Sequence, residues 1–370
     1  MLQDSMMDLA RRLAERGRYT VAPNPLVGAV VACDGSVLSE GWHSRAGGDH
    51  AEKAALDGAG RAARGATLYV TLEPCNHYGR TPPCVEAILQ AGITRVVVGH
   101  LDPDPRMQGR SVGMLREAGV EVEVLDDRVF ERQNEQFLHH MRTGRPFVHL
   151  KLATTLDGRI AASGGDSRWV TGEAARLRAH ELRAEAGAVL VGANTVRTDD
   201  PMLTPRRLPA RAPRITRVVL DPRLTISPES RLARSAKEAP VVVFAPGPDG
   251  REIELERLGV EVVATPLSEE GLDLVYVLEE LGGRGIKGLL VEGGGETATR
   301  FVCRGLADKL TLFYAPKLLG SEGVPMIGAL RATKVAESLQ FSVSEVGKVG
   351  DDVVVTLYPG GEEERVHRAC

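Results

Sequence analysis

Aromatic residues and long apolar runs are both scarce in this chain, and each absence weighs against a class of partner. Phenylalanine, tryptophan and tyrosine make up 4% of the 370 residues, too few to line a groove on which single-stranded nucleic acid stacks. The net charge of -4, from 46 basic and 50 acidic residues, provides no broad basic face for a phosphate backbone. No segment approaches the ~20 apolar residues of a membrane span. We therefore expect neither a nucleic-acid nor a membrane partner.

Cysteine is also scarce. The five cysteines are scattered and odd in number, which favours metal binding or catalysis over disulfides. The N-terminal segment 1–20 alternates charged and apolar residues at helical spacing and lacks the apolar core of a signal peptide. We therefore expect a cytoplasmic protein. The composition, 43% hydrophobic and 26% charged, is that of an ordinary globular protein, and the length suits two domains.

Strand and helix patterns alternate through both halves of the chain. In the first half, two strands joined at Asp34-Gly35 predict a hairpin, and apolar runs at 66–74 and 94–100 predict buried strands. The alternation predicts a three-layer α/β domain whose later strands are largely parallel. A polar helix then separates this series from a second α/β series. We therefore divide the chain into domains 1–145 and 146–370.

The first chemical constellation combines His50, Glu52, Cys75 and Cys84. One imidazole and two thiols form a ligand set that suits zinc. Three protein ligands leave a fourth tetrahedral position for water, whose pKa zinc lowers. Glu52, two residues from the predicted ligand His50, is the candidate that carries protons between this water and a leaving amine.

The spacing sets a geometric condition and leaves alternatives open. Residues i and i+2 point to nearly opposite sides of a helix, so His50 and Glu52 serve one site only if it lies end-on to the helix start. Cys84 follows two prolines, a natural helix entry, and a helix N-terminus favours a thiolate. The structural alternatives are a closed zinc site with His77 or His43 as the fourth ligand, and cysteines that only fill the core.

Neither half identifies its substrate through these signals alone. The order H-x-E, then P-C, then C is typical of zinc-dependent base deaminases, but it leaves cytidine, guanine, tRNA and small pyrimidine deaminases open. In the second half no G-x-G-x-x-G follows an early strand, so a doubly wound dinucleotide fold is unsupported. Gly293-Gly294-Gly295 instead joins a strand to a helix. Such a turn can hold a phosphate on its backbone N–H groups, but it more often serves packing.

Longer stretches resemble the bifunctional riboflavin-biosynthesis deaminase–reductases over about residues 6–330. The resemblance rests on TVAPNPLVGAVV, GWHSRAGGDHAE, ATLYVTLEPCNHYGRTPPCVEAI, DPDPRMQGR, GRPFVHLKLATTLDGRIA, SRWVTG, LRAEAGAVLVGANTVRTDDPMLT and LLVEGGG. It implies an α/β chain with a cytidine-deaminase-like N-terminal domain and a dihydrofolate-reductase-like C-terminal domain. Such enzymes deaminate diaminohydroxyphosphoribosylaminopyrimidine and then use NADPH to reduce its ribosyl side chain to ribityl. We also expect a homo-oligomer, either a dimer or a tetramer.

The resemblance also implies residue roles. It makes His50, Cys75 and Cys84 the ligands of one Zn²⁺ per chain and Glu52 the proton carrier. The deaminase substrate is expected at Asn24, His43, His77, Arg80 and Asp102. NADPH is expected at Thr154, Trp169, Thr195, Asp199, Gly294, Gly295, Glu296, Thr297, Ala298, Thr299 and Arg300. The reductase substrate is expected at Lys151, Ser167, Arg183, Leu203, Arg206 and Glu292, with Lys151 as a polar or proton-donating group.

Some of these positions have a second interpretation. Arg183 and Arg206 suit a sugar phosphate, which arginine binds bidentately. Trp169 also fits an ordinary core aromatic. The family has asparagine where this chain has Asp104. If this position contacts the substrate, the aspartate cannot donate a hydrogen bond unless it is protonated. Alternatively, Asp104 is a simple turn residue. The rival functions are a nucleic-acid deaminase, a binding protein with decayed sites, and an enzyme with one silent domain.

Overall fold

The computed structural model describes residues 2–78, 82–104, 107–208, 213–247 and 250–360. The chain divides into two units, Met1–Gly144 and Arg145–Cys370. Each unit is built around its own central sheet. Within the described ranges, no helix combines the length and the apolar character that crossing a membrane requires.

A five-stranded sheet forms the centre of the N-terminal unit. Its strands are β1 (Gly28–Cys33), β2 (Ser36–Trp42), β3 (Thr67–Leu72), β4 (Arg95–His100) and β5 (Glu121–Val124). In the order β2-β1-β3-β4-β5, β1 runs antiparallel to both neighbours, whereas β3, β4 and β5 are parallel. The predicted hairpin is confirmed: Asp34 and Gly35 adopt the positive φ values, 48° and 79°, that such a tight turn requires.

Helices cover both faces of this sheet. They are α1 (Leu2–Ala14), α2 (Ala51–Ala59), α3 (Cys84–Ala91), α4 (Arg110–Glu117), α5 (Arg128–Gln133) and α6 (Glu135–Thr143). Successive strand residues face opposite sides of a sheet. Val30 accordingly belongs to a buried cluster with Met7 and Leu13 of α1, whereas Val31 belongs to one with Ala55 of α2. The expected three-layer arrangement is therefore confirmed.

A nine-stranded sheet forms the centre of the C-terminal unit. In chain order, the strands of this unit are β6 (Phe147–Thr155), β7 (Arg159–Ala161), β8 (Gly187–Gly192), β9 (Thr216–Leu220), β10 (Val241–Ala245), β11 (Val260–Ala264), β12 (Leu267–Ser268), β13 (Gly271–Leu272), β14 (Gly288–Val291), β15 (Lys309–Ala315), β16 (Val324–Pro325), β17 (Phe341–Val349) and β18 (Asp352–Pro359). The sheet order is β11-β10-β9-β8-β14-β6-β15-β18-β17, while β7 pairs with β16 and β12 with β13 in separate ribbons.

The first seven strands in this order are parallel, and the last two are antiparallel to their neighbours. Parallel strands buried on both faces read as continuous apolar runs, which is why β10, buried at every position, was predictable. The sequence analysis did not predict β17. Its residues are almost all exposed, so it lacks the alternation of a half-buried strand.

Helices also cover both faces of the large sheet. They are α7 (Glu173–Ala186), α8 (Ala193–Asp199), α9 (Arg231–Arg234), α10 (Glu252–Arg257), α11 (Leu274–Gly283) and α12 (Gly295–Cys303). Val277 of α11 and Phe301 of α12 belong to one buried cluster, and Leu182 of α7 and Leu232 of α9 belong to the other. The C-terminal unit is therefore also a three-layer α/β structure, as its class predicts.

Glu73, directly after β3, anchors the connection between β4 and α4. Its side chain is buried, and its carboxylate accepts the backbone N–H groups of Asp102 at 3.3 Å, Gly109 at 2.9 Å and Ser111 at 3.1 Å. The Glu73 N–H donates to the carbonyl of His100 at 2.9 Å. A buried carboxylate needs such donors in place of water. Both ends of this connection are thus held against the end of β3.

Replacing Glu73 by alanine should destabilise the N-terminal unit. Three backbone donors lose their acceptor, and because one unsatisfied buried group costs about 1–3 kcal/mol, we expect a loss of roughly 2–4 kcal/mol after partial hydration. Urea unfolding of Trp169→Phe protein measures this, because Trp42 then remains as the single tryptophan of the two in the chain. Glu40→Ala, at an exposed position of β2, is the control, and an equal loss in that variant would contradict the anchoring role.

Candidate metal centre and reductase site

Three side chains of the N-terminal unit face a common point. The ligand atoms of His50, Cys75 and Cys84 lie within 4.8 Å of one another, and no other group of this kind occurs among the described residues. His50 Nδ1 lies 3.2 Å from Cys84 Sγ and 3.4 Å from Cys75 Sγ. One imidazole and two thiols are a ligand set that zinc prefers, so the donor set fits the predicted metal.

Two of the three ligands, His50 and Cys84, lie at the starts of helices. His50 immediately precedes α2 in an extended conformation, with φ −71° and ψ 157°, and Glu52 is the second residue of the helix. Cys84 is the first residue of α3 and follows Pro83. Because His50 lies before the helix rather than inside it, its side chain and that of Glu52 are not forced to opposite sides. The site is end-on to the helix, as the spacing requires.

The two thiols ionise unequally. Hydrogen bonding from the Cys84 thiol, together with His50 and the Cys84 N–H at 3.3 Å, lowers the pKa of Cys75 to about 4 despite burial. We expected the helix start to favour Cys84 as the thiolate. In the pair by itself, the bond to Cys75 and burial instead raise the pKa of Cys84. Zinc ligation requires both thiolates, so binding releases the remaining proton.

Glu52 lies beside the ligands and is buried. Burial, and then the charge of Cys75, raise the pKa of Glu52 to about 7, although His50 opposes the shift. A carboxyl group with a pKa near the working pH exchanges protons in both directions most effectively. The geometry and the pKa therefore suit Glu52 to the role of proton carrier.

His43 and Asn24 lie next to the metal ligands. The rings of His43 and His50 are 5.7 Å apart. His43 Nδ1 donates to the carbonyl of Asp49 at 2.9 Å, so Nε2 carries the lone pair that accepts from the Asn24 amide at 3.0 Å. Burial lowers the pKa of His43, which keeps the ring neutral. Both ring nitrogens are thus engaged by protein atoms, and the alternative in which His43 is a fourth zinc ligand is wrong.

The structure brings only some of the other predicted deaminase residues close to the metal ligands. The Asp102 carboxylate accepts the backbone N–H of Asp104 at 2.9 Å, and the Asp102 N–H is bound by Glu73. His77 is exposed and is not part of the three-ligand group. Arg80 lies outside the described residues. The sequence analysis missed Glu73, which the E-P-C triplet could have indicated.

Asp104 occupies a buried turn. It is 6% exposed, and its carbonyl accepts the N–H groups of Met107 at 2.7 Å and Gln108 at 3.1 Å. The hydrogen bond from its own N–H to Asp102 is typical of an Asx turn. These backbone contacts are those expected of a turn residue.

In the C-terminal unit, Arg183 and Glu292 form a bidentate ion pair. Arg183 Nε and Nη2 donate to the two carboxylate oxygens at 2.6 and 2.8 Å, and the two side chains are 14% and 12% exposed. Burial alone would raise the pKa of Glu292, but Arg183 and then Lys151 hold it at about 2. The predicted bidentate clamp of Arg183 on a phosphate needs correction, because two of its donors already bind Glu292.

A missed histidine lies beside this pair. Burial, followed by the charges of Arg183 and Arg206, lowers the pKa of His180 to about 4. A hydrogen bond between the His180 ring and the Thr204 backbone partly opposes this shift. Arg206 is exposed, and the charges of Arg183, Arg231 and Arg207 act on it. Leu203, three residues before Arg206, adopts a positive φ of 55°. One turn separates His180 from Arg183 on α7, a helical spacing that could have indicated it.

The predicted cofactor residues lie along one edge of the large sheet. Thr154 lies at the end of β6, Thr195 and Asp199 belong to α8 directly after β8, and the glycine turn follows β14. These strands are neighbours in the order β8-β14-β6 and run parallel. Because the carboxyl ends of parallel strands meet at the same sheet edge, the predicted residues share the position where such sheets bind ligands.

The glycine turn before α12 leaves no room for a side chain at two of its three positions. A Cβ at Gly295 would lie 2.4 Å from the carbonyl oxygen of Pro325, and one at Gly293 would lie 2.9 Å from Thr297. At Gly294, the residue preceding α12, a Cβ would meet nothing within 4 Å. The turn therefore packs tightly on one side and is open on the other. Its N–H groups at a nine-residue helix fit a phosphate of NADPH.

Trp169 is an exposed side chain. Its exposed fraction is 62%, so the alternative in which it fills the core is wrong. The guanidinium of Arg176 packs on its ring, 4.4 Å from the centroid. Ser167 lies two residues earlier in the same segment before α7. The flat exposed ring suits contact with a planar ligand.

Two family models match the chain. The cytidine and deoxycytidylate deaminase zinc-binding region matches residues 2–100, which include the three metal ligands and Glu52. The RibD C-terminal domain matches residues 146–355, which include the ion pair and the glycine turn. The two matches follow one another in the order of the two units.

Similar proteins cover almost the whole chain. The riboflavin biosynthesis proteins RibD of Aquifex aeolicus and Escherichia coli are 43% and 40% identical, over 96% of this chain and 98% and 99% of theirs. The structure of Acinetobacter baumannii RibD superposes with a TM-score of 0.88 at 37% identity, over 97% of this chain and 99% of that one.

A Thermotoga maritima structure described as a diaminohydroxyphosphoribosylaminopyrimidine deaminase and 5-amino-6-(5-phosphoribosylamino)uracil reductase gives a TM-score of 0.86 at 37% identity, with the same coverage. The zinc-binding region and the reductase domain make this chain a bifunctional enzyme that uses Zn²⁺ and NADPH. By these matches the chain belongs to the RibD family of riboflavin biosynthesis proteins.

Proposed function

We propose that residues 1–145 deaminate diaminohydroxyphosphoribosylaminopyrimidine and that residues 146–370 reduce the resulting 5-amino-6-(5-phosphoribosylamino)uracil. The observation that carries the first assignment is the convergence of His50, Cys75 and Cys84 beside the buried Glu52. The observation that carries the second is the shared sheet edge of Thr154, α8 and the glycine turn.

In the proposed deamination, water replaces the ring amino group and ammonia leaves. His50, Cys75 and Cys84 hold zinc, which when bound lowers the pKa of water. Glu52 takes a proton from the attacking water and returns it to the leaving amine, and its pKa of about 7 suits both transfers. Asn24, fixed through its hydrogen bond to the neutral His43, orients the pyrimidine with Asp102. The proposal also assigns His77 and Arg80 to the substrate.

In the proposed reduction, NADPH when bound supplies the hydride. The glycine turn and the residues from Gly294 to Arg300 hold its phosphates, while Thr154, Trp169, Thr195 and Asp199 position the rest. Burial lowers the pKa of Lys151, against the effect of Glu292. The Lys151 ammonium therefore gives up a proton more readily than an exposed lysine, which suits protonation of the opening sugar.

The remaining reductase residues bind the phosphoribosyl group. Glu292 stays ionised in its pair with Arg183 and offers carboxylate oxygens to sugar hydroxyls. Arg206 is the exposed cation for the phosphate, and it is supplemented by the third nitrogen of Arg183, Nη1, which also lies 3.5 Å from His180 Nδ1. Ser167 and Leu203 complete this assignment. We place the enzyme in the cytoplasm, where thiols such as Cys75 and Cys84 stay reduced.

Glu52→Gln should remove ammonia release and leave the metal bound. Glutamine has a similar shape but cannot accept and return the proton, a contribution of about 10²–10⁴-fold to such reactions. Ammonia release and zinc content, the latter by elemental analysis, are measured on the same sample. Retained zinc is the folding control for the N-terminal unit, and the NADPH-dependent step, supplied with deaminated substrate, shows that the C-terminal unit is unaffected. Deamination within a few fold of the unmodified protein would exclude Glu52 as the proton carrier.

The two activities should separate when the chain is cut at the boundary of its units. Residues 145–370 contain the whole nine-stranded sheet and both of its buried clusters, so we expect this fragment to fold and bind NADPH. The enhancement of cofactor fluorescence on binding measures the affinity, which should lie within about threefold of the full chain because no cofactor contact is lost. A folded fragment that fails to bind NADPH would refute the assignment of the cofactor to this unit.

We further propose a homo-oligomer built on β17. This strand is the last in the sheet order, and its outer edge pairs with no other strand of the described residues. Val343 and Val346 on it are 61% and 64% exposed. An exposed edge with apolar side chains is a template for pairing with a second chain, so an antiparallel pairing with the same strand of another copy would bury both.

Light scattering should therefore give at least twice the chain mass of 39.7 kDa. Val343→Lys with Val346→Lys should weaken the association by about tenfold or more, because each buried lysine needs a partner or water. Val335→Lys is the matched control, since Val335 is 90% exposed and lies outside the strand. Either a monomeric unmodified chain or an unchanged oligomer in the double variant would disprove this interface.

A further inference from the structure

The five residues 316–320, here called the strap, leave β15 at the sheet edge assigned to the cofactor. Ala315, the last residue of β15, pairs with Thr155 at the end of β6, next to Thr154. Every residue of the strap is exposed, including Leu318 at 72%. Burial therefore does not fix its path, and its polar contacts decide where it lies.

One end of the strap is fixed to the turn after β6. The Leu156 N–H donates to the carbonyl of Lys317 at 3.0 Å. In return, the Asp157 carboxylate accepts the N–H groups of Leu319 at 3.1 Å and Gly320 at 2.6 Å. Gly320 and Leu319 lower the pKa of Asp157, after the larger effect of Thr155. The ionised form is thus favoured, and it holds the strap to the end of β6.

The Lys317 side chain reaches from this anchored strap to the Trp169 segment. Its Nζ donates to the carbonyl of Trp169 at 2.7 Å and to that of Val170 at 2.8 Å. These are consecutive carbonyls in a mostly exposed segment between β7 and α7. The next two residues are held by other side chains, the Thr171 carbonyl by Arg176 at 2.8 Å and the Gly172 N–H by Asp352 at 2.7 Å. Lys317 therefore fixes the backbone that carries the Trp169 ring, while Arg176 packs on the ring itself.

We infer that Lys317 is a positioning residue for NADPH in the reductase reaction. It acts through Trp169 and ties the segment of Ser167 and Trp169 to the β6 end that carries Thr154. The inference rests on the proposed placement of NADPH beside Trp169. A lysine between two exposed carbonyls contributes little to global stability, so its loss should affect cofactor binding and not folding.

The test uses full-length Trp42→Phe protein as the parent, in which Trp169 is the single tryptophan of the two in the chain. Lys317→Met keeps the aliphatic stem and removes the donors, whereas Lys317→Arg restores donors to both carbonyls. We expect Lys317→Met to raise the NADPH KM and Kd by about tenfold with little change in kcat. We also expect acrylamide to quench Trp169 more strongly, and arginine to recover most of the affinity.

Three measurements separate the possible outcomes. Ammonia release and the unfolding midpoint should match the parent in both lysine variants, which identifies the effect as local. If NADPH does not change Trp169 emission in the parent, the placement of the cofactor beside Trp169 is wrong and the inference falls with it. If NADPH quenches the parent and Lys317→Met alike, with Kd values within twofold, the cofactor placement stands and the role of Lys317 is overturned.

Discussion

Parallel pairing of neighbouring strands is the constraint on which both sites depend. In the N-terminal unit, β3 and β4 end side by side, so the segment with Cys75 and the segment with Asp102 start from the same edge. In the large sheet, β8, β14, β6 and β15 do the same. Residues that are tens of positions apart in the chain are therefore brought to one edge of a sheet. Helix starts at these edges then supply N–H groups and partial positive charge.

The two sites use buried charge differently. In the C-terminal unit, the cost of burying Glu292 is offset by a bidentate pair with Arg183, which lowers the pKa of the carboxyl and favours its ionised form. In the N-terminal unit, no bidentate partner of this kind faces Glu52 among the described residues, and burial raises its pKa to about 7. One carboxylate is thus fixed in charge and suited to binding, and the other can change its charge and suits proton transfer.

Much of this arrangement could be predicted from the sequence. The hairpin at Asp34-Gly35, the alternating layers and the ligands His50, Cys75 and Cys84 all depend on local patterns or on a residue order with a chemical meaning. The edge strand β17 could not be predicted, because an exposed strand has no hydrophobic period. The engagement of Arg183 by Glu292 also could not, since a pair 109 residues apart leaves no local signal.

A common device holds the functional loops, although the two sheets differ in order and size. Loops at the edge of a parallel sheet carry backbone N–H groups with no strand partner, and a buried or immobilised N–H needs an acceptor. Glu73, one residue after β3, accepts three of them. Asp157, two residues after β6, accepts those of Leu319 and Gly320. Each carboxylate starts from a strand fixed by the core, so the position of a loop that carries function is set by the sheet and not by the loop's own sequence.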